Sequence, residues 1–327
     1  KRSRFFYSIL VIVFIASSSL AQDGIRPSCR NHKAQLTKMV PTVEQLELME
    51  SMAFRSDTFD IVHYAIHLED VDYGVKKIRG FCDIHFAPKM EEQHALHLDL
   101  LNLQVDSVLF KGEHLNYEYD SLMLHAYFEA NLEKGDTIMI RVYYGGSPTI
   151  DPSGFGGFDF SDGYSYNLGI GLASIPHNYG RGWFPCFDNF VERSTYEFFV
   201  TTLKTQRAYC VGTHVGTEDL DDSRQRFHFH MKQPITTYQA AVADANYETA
   251  RSFHEGLEKE IPIELTAKPA DTTKFKNSFA FLTEAIEALE QWYGPYQWER
   301  VGYVVTTRGA MEHPTCVAYP SSLALNE

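Results

Sequence analysis

The sequence predicts a mainly β protein: a β-sandwich or open β-barrel over roughly residues 55–255, followed by the start of an α+β domain. Three observations predict it. From Phe59 onward, apolar and polar residues alternate in many short runs, several of them separated by turn residues. Aromatic residues make up 14% of the chain, with 23 Phe and 19 Tyr, and such rings favour strands. After Pro262 the apolar spacing changes to steps of three and four, which is the spacing of a helix.

The elements follow in chain order. Lys1, Arg2 and Arg4 precede a 12-residue apolar run, Phe5 to Ala16, and Ser17 to Ala21 supplies small residues before Gln22. This pattern predicts a secretory signal peptide over 1–21, hence export to the periplasm or the cell exterior. The run is shorter than the ~20 residues a spanning helix needs, so no stable membrane span is expected after cleavage. Residues 22–55 read as an irregular, polar lead-in with a short helical pattern near Val43–Met52.

In the first strand, Phe59, Ile61, His63, Ala65 and His67 share one face and Val62, Tyr64, Ile66 and Leu68 the other. Leu96, Leu98 and Leu100 alternate with His97 and Asp99. Further strands are expected at Gln104–Phe110, Ser121–Phe128, Thr137–Tyr144, Tyr196–Leu203, Arg226–Met231 and Tyr238–Val242. These place a β domain over 56–257. A second domain, 258–327, opens with a strand. An amphipathic helix carrying Phe275, Phe279, Leu282, Ile286, Leu289 and Trp292 follows, closed by Gly294–Pro295, and then a strand at Val301–Thr306. About 70 residues are too few for a typical catalytic domain, so this second domain is expected to be truncated.

The 327 residues carry a net charge of −14, which disfavours nucleic acid as a partner because phosphates are repelled. Cys29, Cys82, Cys186, Cys210 and Cys316 are scattered and form no CxxC, which excludes a ribbon-type zinc site. Buried thiols and disulfides both remain open, since export permits the latter. No GxSxG, P-loop or dinucleotide fingerprint is present.

Two segments carry the functional argument. Trp183-Phe184-Pro185-Cys186-Phe187-Asp188, after Arg181, is an aromatic loop around a proline of fixed φ, and by itself reads as a structural corner. Gly309-Ala310-Met311-Glu312-His313 follows the Val301–Thr306 strand. Gly309 permits close approach of another backbone, so an extended peptide could pair with this edge. Glu312 then offers a carboxylate to a free α-ammonium.

In this order and separation, the two segments resemble the M1 family of zinc aminopeptidases, over most of residues 55–327. Phe59-Asp60-Ile61-Val62-His63-Tyr64 and Tyr143-Tyr144-Gly145-Gly146-Ser147-Pro148 add to the likeness. Asn167-Leu168-Gly169 and the run from Pro176 to Tyr196 look like a Bacteroidetes-type branch.

The resemblance implies a saddle-like β-sandwich N-terminal domain packed on a thermolysin-like catalytic domain. It implies that Glu312 holds the substrate's free amine while Gly309 and Ala310 line the edge, with Met311 and His313 completing the segment. The implied partners are peptides with a free N-terminus, and the implied cofactor is one zinc ion. Three departures stand out. His313 replaces the family's Asn, Phe187-Asp188-Asn189-Phe190 replaces FDEP, and Ser174–His177 holds no Gln or Glu for the first pocket.

The family's HExxH helix, whose two His bind zinc and whose Glu is the general base, is not in the sequence. His63 and His67 have its spacing, but in a strand and with Tyr64 in place of Glu. His94/His97 and His228/His230 likewise sit in strand-like runs without a third ligand nearby. Glu312 lies 15 residues before the last one, so the metal ligands are expected beyond Glu327. Two other readings are a catalytically inactive M1-like module that binds peptides or proteins, and a secreted β-sandwich that binds glycans through exposed Tyr and Trp.

Overall fold

The computed structural model describes residues 41–324. The expected signal peptide, most of the lead-in and Cys29 lie outside the described residues. Helix α1 (Val43–Thr58) runs on past the expected Met52 and leads directly into β1 (Phe59–Asp72). Strands β2 (Lys77–Pro88), β3 (Gln93–Asp99), β4 (Gln104–Phe110), β5 (Glu113–His114), β6 (Asn116–Tyr119), β7 (Met123–Leu132) and β8 (Ile138–Gly146) follow. Next come β9 (Phe158–Ser161), β10 (Tyr164–Asn167), β11 (Ser194–Leu203), β12 (Arg207–Cys210), β13 (Thr213–Asp219), β14 (Arg224–Ile235) and β15 (Val242–Ala245). The last part holds β16 (Glu248–Glu255), β17 (Glu260–Ala267), α2 (Thr272–Ser278), α3 (Leu282–Tyr293), β18 (Val301–Thr306), β19 (Val317–Pro320) and α4 (Ser321–Ala324).

The chain is mainly β, as its alternation predicts. Eight strands form one sheet in the order β13-β14-β11-β1-β2-β8-β4-β5, with β1 and β11 parallel. A three-stranded sheet, β3-β7-β6, lays Leu96, Leu98, Leu124 and Ala126 into the same core as Ile84, Phe86, Val142 and Tyr144 of the large sheet. Each of these side chains is fully buried, so the two sheets form a sandwich whose cohesion is removal of apolar surface from water. A four-stranded sheet, β12-β15-β10-β9, extends it.

Strand β1 does not keep the single alternation read from sequence. A bulge between Ile61 and His63 adds a residue and reverses the faces, so Phe59 and Ile61 are buried together with Tyr64, Ile66 and Leu68. His63 and His67 turn to the outer face. There His67 stacks between Phe81 and Phe199 at centroid distances of 4.1 and 4.2 Å, and Phe199 stacks on His228 at 4.3 Å. Rings stacked in this way spend their faces on one another.

The strand expected at Tyr238–Val242 is a 3-10 turn, Thr237–Gln239, and β15 starts only at Val242. Local bonding explains the shift. The Asn167 side chain donates to the Ala240 carbonyl and accepts from Val242 N–H at 2.9 and 2.7 Å, taking the place of a neighbouring strand. The expected single helix is two. Phe279, which meets Phe275 edge-on at 5.0 Å, packs on Tyr303 at 4.5 Å and on Tyr319 at 5.5 Å, while Ile286 and Glu290 anchor α3 separately.

The last sheet is ordered β16-β17-β18-β19, with β17, β18 and β19 parallel. It begins with β16 at Glu248, since β16 and β17 are one antiparallel hairpin. Arg300 joins this sheet to the sandwich. Its guanidinium pairs with Glu264 on β17, donates to the carbonyls of Gly212 and Cys210 at 2.7 and 2.6 Å, and lies over the Tyr209 ring at 4.4 Å. The aromatic loop is a buried corner: Trp183, Phe184, Cys186, Phe187 and Asp188 are fully buried. Cys82, Cys186, Cys210 and Cys316 are free, buried thiols.

Candidate functional site

The edge of the last sheet carries the candidate site. Strand β18 ends at Thr306, and the chain turns back so that residues 308–312 lie beside β19. Met311 N–H donates to the Ala318 carbonyl and Ala318 N–H to the Met311 carbonyl, both at 3.0 Å, in an antiparallel bridge. Met311 and His313 are buried, whereas Arg308, Ala310 and Glu312 are exposed, so alternate residues face outward. Among the described residues, the backbone groups of Ala310 and Glu312 bond to no other strand, which leaves the sheet edge open there.

Gly309 is required by β19. A Cβ at this position would sit 2.9 Å from the Ala318 carbonyl oxygen and 3.2 Å from Pro320 Cδ. The close approach its lack of a side chain permits is therefore, first, that of the sheet's own backbone. The Gly309–Ala310 peptide is cis.

His313 points inward. It is 1% exposed, and its Nε2–H donates to the Leu168 carbonyl at 3.1 Å. Burial holds its pKa down at about 4, so the ring is neutral. It thus ties the edge to the end of β10, and Glu312 is held one residue outside that tie. The Tyr238 hydroxyl faces the Glu312 carboxylate from the sandwich side. Its pKa is raised, first by burial and then by the Glu312 charge. The exposed Phe190 ring meets Tyr238 edge-on at 5.5 Å.

The other end of the edge is fixed by a second set of contacts to the sandwich. Thr307 Oγ1 bonds with Ser161 Oγ at 2.6 Å and with the Tyr166 hydroxyl at 2.7 Å, and the Arg308 N–H donates to that same hydroxyl at 3.1 Å. The Arg308 guanidinium pairs with Asp159 at 3.5 Å and donates to the Gly154 carbonyl. Sequence reasoning passed over Arg308, Tyr238 and Asp159. The signal for Arg308 was the period of two through Arg308, Ala310 and Glu312. Tyr238 and Asp159 are distant in sequence and left none.

Among the described residues, no three His, Cys, Asp or Glu side chains converge as a metal ion requires. His63 and His228 both reach the Glu197 carboxylate on a sheet face, at 3.5 and 2.8 Å.

Comparison with known proteins shows a known fold. The chain superposes on a two-domain M1 zinc metallopeptidase mutant bound to L-arginine with a TM-score of 0.72 and 20% identity, covering 81% of this chain and 61% of that one. Its structural neighbours are M1 zinc metallopeptidases.

The M1 zinc metallopeptidase of Deinococcus radiodurans gives a TM-score of 0.71 at 21% identity, over 83% of this chain and 62% of that one. Leukotriene A4 hydrolase from Saccharomyces cerevisiae gives 0.64 at 20%, over 82% of this chain and 41% of that one. These likenesses establish the fold, including the β-sandwich expected of an M1 N-terminal domain. Among curated proteins, human aminopeptidase RNPEPL1 is 26% identical over 147 residues, and the mouse protein is 27% identical over 150. The match takes in 44% of this chain and 19% of either relative's length. No family model matches the chain.

Proposed function

We infer that the chain is the N-terminal part of an exported M1 zinc aminopeptidase, and that its own contribution to the reaction is to bind the N-terminal end of a peptide. The open edge at Ala310 and Glu312 carries this reading. An extended peptide adding to that edge gains backbone hydrogen bonds, with Gly309 and Ala310 beneath it and Met311 anchoring the segment to β19. Its free α-ammonium meets Glu312, a charge-assisted bond that a blocked N-terminus cannot make. His313 contributes from below, by holding Leu168 and so the height of Glu312 above the sheet.

Hydrolysis in this family draws on zinc. The described residues offer no set to hold it, so binding alone is assigned to them. The apolar face of α3 supports a longer protein. Phe281, Leu289, Trp292 and Tyr293 are 79, 57, 83 and 85% exposed, a patch of the kind a further part of a domain covers. An HExxH motif in residues following Glu327 is expected. Its absence would leave the peptide-binding module as the reading.

The experiment is kinetic, on the longer protein that contains this chain. Glu312→Gln is expected to raise KM and lower kcat for an alanyl anilide, with kcat/KM down by about 100-fold, because the ammonium loses its charged partner. Unchanged kcat/KM would remove Glu312 from the site.

A further inference from the structure

The open edge carries opposite charges at its two ends. Arg308, Ala310 and Glu312 are its three exposed residues in a row: a guanidinium, a methyl group and a carboxylate. The guanidinium is 46% exposed and is held from behind. Asp159, 9% exposed, pairs with its Nε, and the Gly154 carbonyl accepts from its Nη1. Its Nη2 bonds to none of the described residues. Asp159 offsets part of the charge and fixes the group's direction, and a guanidinium retains donors for a second, planar anion. On a chain of net charge −14, such a cation beside a peptide-binding edge stands out.

The direction of the peptide follows from the fold. Past Glu312 the chain enters a buried turn at His313, Pro314 and Thr315, and Pro314 has no N–H to offer. A peptide whose ammonium sits at Glu312 therefore has backbone to pair with only toward Arg308, antiparallel to residues 308–312. Four residue steps of at most ~3.4 Å, one of them shortened by the cis peptide, put the Cα atoms of Arg308 and Glu312 no more than about 14 Å apart along the edge. An extended tripeptide or tetrapeptide spans about 10–14 Å between its termini.

We propose that Arg308 binds the C-terminal carboxylate of short peptides, so that the edge selects tripeptides and tetrapeptides with both termini free. The selection rests on Glu312 as the amine anchor, and it adds a second anchor of opposite sign. Ala310, small and exposed between the two, leaves room for the peptide's middle.

The test titrates three probes into the full 327-residue chain and follows backbone amide NMR shifts. The probes are Ala-Ala-Ala, its C-terminal amide and its N-acetyl derivative. The expected result is that amidation weakens binding about fivefold, the worth of one exposed ion pair, and that Arg308→Gln removes this difference. Because amidation alters only the ligand, the first part of the test needs no variant to fold. If Ala-Ala-Ala binds no better than its amide, whether both bind or neither does, the role of Arg308 is overturned. N-acetylation separates the two anchors: an amide that binds as well as the acid while the acetylated peptide does not overturns Arg308 and leaves Glu312 in place. Binding indifferent to acetylation overturns Glu312 itself.

Discussion

Asp188→Ala is expected to lower the melting temperature by about 10 °C, from a loss of about 3–5 kcal/mol. Asp188 is fully buried at the corner of the aromatic loop. Its carboxylate accepts from the N–H groups of Gly180 and Arg181 at 3.2 and 3.1 Å, from Arg181 Nη1 at 2.9 Å and from the Thr237 hydroxyl at 2.9 Å. Its own N–H donates to Asp99, which pairs with Arg55 at 2.5 Å. Alanine leaves the Arg181 guanidinium, 13% exposed, without its anion, and two backbone donors unpaired. Asp188→Asn keeps part of the hydrogen bonding and is expected to lose about half as much. Thermal unfolding of both variants measures this. A loss under 1 kcal/mol for the alanine variant would show that the corner does not depend on Asp188.

The second large effect depends on pH. Asp244, on β15, is 3% exposed, and its Oδ1 has no hydrogen-bond partner. Burial pushes its pKa up to about 7 from the ordinary 3.8. A folded pKa above the unfolded one means that the folded state holds the proton more tightly. This contribution is fully present below about pH 4 and is lost as pH rises through 7. His313 and His67 act oppositely. Burial lowers both to about 4 from 6.5, so their contribution is full above 6.5 and is lost as pH falls toward 4.

In the wild type the two trends oppose each other between pH 4 and 7. Asp244→Asn removes the first. The variant is expected to gain stability steeply over that interval and to exceed the wild type at pH 8 by on the order of 2 kcal/mol, after allowing for a buried amide. Melting temperatures from pH 4 to pH 8 give both curves. Parallel curves would mean that Asp244 is charged in the fold throughout.

Sequence pattern was most informative where one physical signal dominates. Gln104–Phe110 and Val301–Thr306 are strands with the expected bounds, because β-branched and apolar residues there fit a pleated, half-buried surface. It failed where a local contact overrides alternation. The bulge after Ile61 reversed β1, and Asn167 drew the chain at Tyr238 into a turn. Strands such as β2, with Gly80, Asp83 and His85 among its apolar residues, show too weak a period to be read at all. At the site, Gly309 to His313 could be singled out by motif. Which of them face outward could not, because that depends on the bridge between Met311 and Ala318 and on the bond from His313 to Leu168.

Glu312, on the open edge, is proposed to read a free amine. A double cycle tests it most directly, pairing N-acetylation of Ala-Ala-Ala with Glu312→Gln and measuring the four dissociation constants by calorimetry. Acetylation is expected to weaken binding about tenfold or more in the wild type and to change it little in the variant, since the carboxylate is the group that senses the ammonium. Equal losses in the wild type and the variant, or no loss in the wild type, would contradict it.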